Sequence, residues 1–567
     1  TSYTDNYRFI GSFWAEAQII KGLTVRASYN NDSAYTYDYI YYNQNHPYAA
    51  DKGRILDRNR FVMTNTIDLY ANYNRKIGED FELGAMVGHS FLKTRSRTSY
   101  IDAQNYPSPA FDVASVAANI VDASAGLSEY AIESYFARLS LAYKDRYVVN
   151  ATIRTDGSSR FAPDCRWGWF PSVSVGWNVS NESFWNAEKT DLKIRASYGR
   201  TGNQDGISNY GWQALISGGE SGIAISSSGN DRLTWETADQ YNAGFDLSFL
   251  GGKINMIADV YLKNTNNLLY SKPVHATTGE TSILSNIGSM RNKGVEFTIN
   301  THLNLGKVLW SSSFNIARNV NKLTSLLEDD LLSIGANRAL KLGRTVGSWY
   351  IFRTDGIYQY DGEVPQALYD KGVRAGDVKY WDRNGDGNIT DDDRIVTGNP
   401  NPKFSGGWNN TFKYKGLELS LFFTYSYGND VYASWMIHGS KPGYTRSLLK
   451  AYADNRWTGP GTSDKYPRAI YSYSGWNGKN STMYLTDGSF IRLRSVTLGY
   501  TFPQRLVSKI HLKGLRVYAQ GDNVFLCSRY PGWDPETSVN LDPRFYGEDN
   551  DGVPQPRIFK LGVNITF

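Results

Sequence analysis

The chain has 567 residues, with 41 Tyr, 25 Phe, 15 Trp and 53 Gly against only 6 Met and 2 Cys. Acids and bases nearly balance at a net charge of +5, and without a long basic run nucleic-acid binding is excluded as a leading function. No stretch reaches the about 18 consecutive apolar residues of a spanning helix, and Cys165 and Cys527 match no metal or redox spacing.

Period-two alternation recurs from end to end. Leu23, Val25, Ala27 and Tyr29 alternate with Thr24, Arg26 and Ser28; Tyr135, Ala137, Leu139, Leu141 and Tyr143 alternate with Phe136, Arg138, Ser140 and Ala142. Successive strand side chains point to opposite faces, so each segment has one apolar and one polar face. Seventeen strands are predicted, near 8–20, 23–36, 61–75, 81–95, 129–143, 147–156, 167–179, 190–201, 233–249, 253–269, 284–302, 307–318, 404–414, 417–429, 485–503, 514–524 and 557–567. In one of them the apolar phase slips, from Ile491 and Leu493 to Val496, Leu498, Tyr500 and Phe502. An extra residue shifts the alternation by one, which predicts a bulge near Arg494.

The connections alternate between short and long. Lys21-Gly22, Gly251-Gly252 and Lys415-Gly416 are short; 37–60, 96–128, 202–232, 319–403, 430–484 and 525–556 are long. Outer-membrane barrels have short periplasmic turns and long external loops, and their low hydropathy follows from strands that are half lumenal. The mean hydropathy of −0.46 is therefore no argument against a membrane protein. The expected fold is all-β, a transmembrane antiparallel β-barrel. Its final strand presents Phe559, Leu561, Val563, Ile565 and Phe567 to lipid. Seventeen is odd, whereas a single-chain antiparallel ring closes on an even number. The expectation is that residues 1–567 are an incomplete barrel, about 17 strands of a 22-stranded plugged one, with the plug and first strands outside this chain.

Within the long connection 319–403, Asp382-Arg-Asn384-Gly-Asp386-Gly387-Asn388-Ile389-Thr390-Asp-Asp-Asp393 fits a calcium loop by position. Asp382, Asn384 and Asp386 offer side-chain oxygens at positions one, three and five, and Gly387 permits the sharp turn. Asn388 offers its carbonyl, Thr390 a hydroxyl, and Asp393 stands where an EF-hand has Glu. A structural Ca2+ ion is expected there; the competing reading is a solvated Asx-turn cluster. Among loop aromatics, Trp349, Tyr350, Trp435, Tyr444, Tyr471, Trp476, Tyr530 and Trp533 could stack on sugar rings. Packing within the loops is the expectation for each of them taken singly. Trp14, Tyr198, Trp310 and Tyr500 are expected in interfacial girdles, and Arg26, Arg138, Arg154, Arg195 and Arg516 on the lumenal face. Six scattered histidines form no metal or nucleophile motif, and no catalytic residue or enzyme activity is predicted.

Six segments together resemble the SusC/RagA-like TonB-dependent transporters of Bacteroidetes outer membranes. They are Arg154-Thr-Asp-Gly-Ser-Ser-Arg-Phe161 with Trp169–Trp177, Leu192–Gln204, Gly385–Ile389 leading into Gly398–Trp408, Asp487–Pro503, Asp522-Asn-Val-Phe525 with Tyr530-Pro-Gly-Trp-Asp-Pro-Glu536, and the terminal Phe567. The resemblance implies active import of oligosaccharides or peptides, energised by the TonB complex through a plug and capped by a SusD-like surface lipoprotein. A dimer of transporter–lipoprotein pairs is compatible with it. Phe567 resembles the signal by which barrel-assembly machinery recognises its clients. Residues before about 150 share only strand texture with the family. A passive porin-like channel, or an adhesin or enzyme carried on a barrel, are the alternatives.

Overall fold

The computed structural model describes residues 2–567 apart from 50–51, 109, 112, 187–188, 220–221, 276, 278–279, 281, 327–329, 443–446 and 471–474. Among the described residues seventeen strands belong to one antiparallel sheet, and they are the seventeen expected. In chain order they are β1 (Ser2–Ile20), β2 (Leu23–Tyr42), β3 (Arg54–Ile77), β4 (Phe81–Gln104), β5 (Asn119–Tyr143), β6 (Tyr147–Ser158), β7 (Trp167–Asn178) and β8 (Thr190–Asn203). There follow β9 (Glu236–Phe249), β10 (Ile254–Asn266), β11 (Ser289–Leu305), β12 (Val308–Ser325), β13 (Phe404–Tyr414), β14 (Leu417–Tyr427), β15 (Phe490–Thr501), β16 (Gly514–Ser528) and β17 (Ile558–Thr566). No described helix is long and apolar enough to cross a membrane.

Two compact units divide the chain. The first comprises Thr1–Asn181, Arg195–Tyr241 and Thr265–Ile287; the second comprises Glu182–Ile194, Asn242–Asn264 and Gly288–Phe567.

In the first unit β1 to β7 pair in sequence order, each with the next. Register puts Ile67, Leu69, Val87, Leu139, Ile153 and Val175 on one common face, and all six are exposed. The opposite face is polar and cross-linked: Ser28 and Ser90 both donate to Asp68, at 3.2 and 2.6 Å, and Ser140 donates to Asn150 at 2.7 Å. An exposed apolar face of this extent needs an apolar surround, and lipid supplies it. Short turns close the hairpins tightly. A Cβ at Gly22, whose φ is +89°, would stand 2.4 Å from the Asn74 carbonyl oxygen.

Strands β2 to β5 run well past their expected ends. Only 43–53 and 105–118 of the expected loops 37–60 and 96–128 lie outside strands. The extension lacks the apolar alternation used to find strands; cross-strand polar pairs hold it instead. Arg54 makes a bidentate pair with Asp102 at 2.9 and 2.6 Å, and Tyr37 donates to Asp57 at 3.2 Å. Tyr39, Ile55, Ala103 and Tyr106 bury a small core at its far end. Trp14 also departs from expectation. Its register partner Ser28 places it on the polar face, where its ring lies 4.4 Å from the Arg26 guanidinium, so it is not part of the outward girdle.

In the second unit β11–β12, β12–β13, β13–β14, β14–β15, β15–β16 and β16–β17 pair antiparallel. The expected bulge is present: both neighbours of β15 skip Arg494 in their register. On β17, Phe559, Leu561, Val563 and Ile565 are exposed, and Phe567 follows directly. The recorded partner of β17 is β16, and that of β1 is β2.

Candidate functional site

The long connections of the second unit fold into a layer of their own. Leu331–Ile334, Arg338–Lys341, Trp349–Phe352 and Arg394–Thr397 form a four-stranded sheet. Asp430–Ala433 pairs with Leu485–Asp487 and with Glu548–Asp549. Apolar residues from several connections bury two cores between them. One holds Trp349, Ile351, Val431, Tyr432, Met436 and Tyr484; the other holds Phe352, Tyr358, Leu368, Val378, Tyr380 and Ile389. Loops that bury cores are positioned by the hydrophobic effect and by more than backbone turns.

Three ionic latches tie this layer together. Arg338 is fully buried, with its guanidinium 4.1 Å above the Trp349 ring. It donates to the carbonyls of Gly347, Phe545 (3.2 Å) and Tyr546 (3.0 Å), and Glu548 stands 3.8 Å away. Burial pulls its pKa down to about 10, against the opposing pull of Glu548. Asp377, also buried, takes both prongs of Arg468 at 2.8 and 3.0 Å and a hydrogen bond from Asn477 at 3.0 Å. The third latch starts from the bulge. Arg492 reaches Asp534 at 2.5 Å and Glu536 at 2.8 Å, and Arg494 reaches Glu536 at 2.7 Å. The backbone N–H groups of Glu536 and Gln555 also donate to Asp534. Arg492 and the bulged Arg494 together serve one acidic pair in the last connection.

The predicted aromatics separate by burial. Trp349 is a core residue with no exposed surface. Trp435 is partly buried and donates to the Tyr530 hydroxyl at 3.0 Å, which in turn donates to Asp549 at 2.5 Å. Trp476 donates to the Val378 carbonyl at 2.9 Å, and Tyr350 donates to the Asp391 carbonyl at 3.2 Å. Only Trp533, at 81 % exposure, offers a largely free ring among those described. Tyr444 and Tyr471 lie outside the described residues. Packing thus accounts for Trp349, Trp435 and Trp476.

The calcium-type loop is closed by its own side chains. Asp382 accepts from the N–H groups of Gly385 and Gly387 at 2.7 and 2.8 Å, and Asn384 from Asp386 N–H at 3.0 Å. Asp386 accepts from Asn388 N–H at 2.7 Å. Asp393 is fully buried and takes the N–H groups of Arg383 and Thr390, at 2.9 and 2.8 Å. Lys371 reaches the Asn388 side-chain oxygen at 2.8 Å. Among the described residues no three Asp, Glu, His or Cys side chains converge as a metal cluster. Any ion here would depend on the amide, hydroxyl and carbonyl oxygens as well as the carboxylates.

On the polar strand face, two of the lumenal arginines form ion pairs. Arg154 binds Asp156 at 2.8 Å and Ser134 at 2.9 Å, and Arg516 binds Glu418 at 2.8 Å. In the first unit a cavity of about 620 Å³ is lined by Asn72, Asn74, Glu82, Met86, Arg138 and Ser140. Sequence reasoning missed this cavity; every side chain named points to the polar face of β3, β4 or β5, and the even-number parity of all six was its only signal.

The family described as TonB dependent receptor-like, beta-barrel matches residues 1–524. The chain belongs to this family of outer-membrane β-barrels. Two TonB-dependent receptors of Formosa agariphila are 30% identical over 536 residues and 31% identical over 604, covering 89% and 100% of this chain and 52% and 60% of those proteins. TonB-dependent receptor SusC of Bacteroides thetaiotaomicron is 29% identical over 531 residues, covering 88% of this chain and 50% of SusC. The chain thus spans about half the length of the curated relatives it matches. Among solved structures, the RagAB peptide transporter superposes with a TM-score of 0.86 at 22% identity, covering 100% of this chain and 62% of that one. That likeness establishes the fold.

Proposed function

We propose that this chain is the barrel of an energised importer of SusC/RagA type, which admits oligosaccharides or peptides across the outer membrane. Its family membership over residues 1–524 is the observation that carries the reading. In such a protein the TonB complex acts through a plug, and a SusD-like lipoprotein covers the external mouth. The packed layer at the long-loop end supports the second part, because a lid needs a preformed surface to close on. The RagAB neighbour is a peptide transporter and the other relative is SusC, so the substrate class is left between oligosaccharide and peptide.

The test is uptake. Deleting the gene in its native bacterium, or deleting the TonB-type coupler, should each abolish growth on one glycan or peptide source. Uptake that survives loss of the coupler means a passive channel instead.

A calcium ion at Asp382, Asn384, Asp386, Asn388, Thr390 and Asp393 is proposed as a structural ligand. The support is the fit of the donor types to a hard cation. The loop has its own hydrogen bonds and packs Ile389 into a core, so the ion would reinforce an ordered turn.

A further inference from the structure

The outward face of β4 carries three cations in alternate positions, Lys93, Arg95 and Arg97. They begin directly beyond Phe91, the last large exposed apolar residue of β4 itself. Two residues advance a strand by about 6.6 Å, so the three charges span about 13 Å along one line. Glu129, opposite Arg95 in register, stands 3.3 Å from Arg95 and 3.6 Å from Lys93 and offsets part of the charge. The residues opposite Arg97 are Phe61 and Leu127, which are uncharged and exposed.

The flank of this stripe has a second chemistry. Asn65 faces Lys93 in register and accepts from both Tyr29 (2.7 Å) and Asn31 (2.8 Å). Tyr35 lies beside Phe61, and both rings are exposed. Amides and aromatic faces beside a line of cations suit a saccharide that carries phosphate. The stripe is continuous with the lipid-facing apolar surface and lies on its long-loop side, which barrel architecture places outside. A headgroup anchored by its own acyl chains would reach it; a free solute has no such tether.

We propose that Lys93, Arg95 and Arg97, with the Tyr29–Asn31–Asn65 flank, bind the phosphorylated saccharide headgroup of an outer-leaflet glycolipid. Cations near a charged membrane surface each strengthen retention, and with Glu129 offsetting part of the charge the expected effect is about tenfold.

The test uses the full-length protein that carries this chain, purified in nanodiscs with phosphorylated lipopolysaccharide, its phosphatase-treated form, or phosphatidylglycerol, and bound lipid counted by native mass spectrometry. K93Q/R95Q/R97Q should retain about tenfold less phosphorylated glycolipid, Lys144→Gln at the short-turn end should change nothing, and Glu129→Gln should raise retention. All variants should keep the heat-modifiable gel mobility of a folded barrel. Equal retention by the triple variant and the parent, or lower retention on Glu129→Gln, overturns the proposal. Displacement by phosphatidylglycerol as effective as by the glycolipid overturns the saccharide part of it.

Discussion

Arg492 and Asp534 are both buried and meet at 2.5 Å, joining a strand to a connection 42 residues further along the chain. Two of the segments that resemble the transporter family, Asp487–Pro503 and Tyr530–Glu536, are thereby one structural device. Arg494, at the bulge, and Arg492 share Glu536. Removing one partner of a buried pair strands the other charge, at a cost of about 3–5 kcal/mol. Arg492→Gln or Asp534→Asn should therefore release residues 529–557, seen as faster hydrogen exchange and proteolysis of that connection. The double variant should cost less than the two singles summed, because neither charge is left alone. Additive effects would show that the pair is not coupled.

The apolar face of β17 makes a face-specific prediction. Leu561 is 88 % exposed, so its substitution by Arg costs no packing in water and about 2–4 kcal/mol at the bilayer midplane. Leu561→Arg should lower the yield of assembled barrel, read as loss of the heat-modifiable gel band. Asn564→Arg, on the opposite face, should assemble nearly as well as the parent.

The calcium proposal predicts a heat on titration. Calcium added to the purified full-length protein should bind at this loop with an affinity of about 10⁻⁴ to 10⁻³ M, the range of weak extracellular sites. Asp382→Asn with Asp386→Asn should abolish the signal. No heat in the parent, with proteolysis of residues 371–394 unchanged by chelator, removes the ion from the loop.

Asp430 gives a pH dependence. Burial raises its carboxyl above the usual range, helped by Asp487 and opposed by the Asn399 N–H group and Lys403. The folded state then holds this proton more tightly than the unfolded chain. Its contribution to stability falls as pH rises from 3.8, the ordinary value, to the raised value, and is constant above it. Asp430→Asn should flatten that slope, measured as resistance of the loop layer to proteolysis between about pH 4 and pH 7. An unchanged slope would assign it to another group.

All seventeen strands, the bulge at Arg494 and the lipid face of the last strand were legible from alternation alone. What escaped were features without alternation. The upper halves of β2 to β4 carry Asn, Asp, Arg and Tyr on both faces, that of β5 is mostly small residues, and all look like loop until the partner strand is known. Trp349 and Trp533 are alike in sequence, both loop tryptophans, yet one is fully buried and the other 81 % exposed. Trp14 was misassigned because its neighbours are apolar on both sides of the phase, and only its pairing with Ser28 fixes its face.

The sequence by itself determined where strands run, which face of each meets lipid and which connections are long. Those properties follow from side-chain period and turn residues, and both act over a few residues. Only the tertiary structure decided how far the strands continue, which loop aromatics are core, and that Arg492 finds Asp534. Each of these depends on a partner tens of residues away, and no local pattern specifies which of many polar or aromatic candidates that partner is.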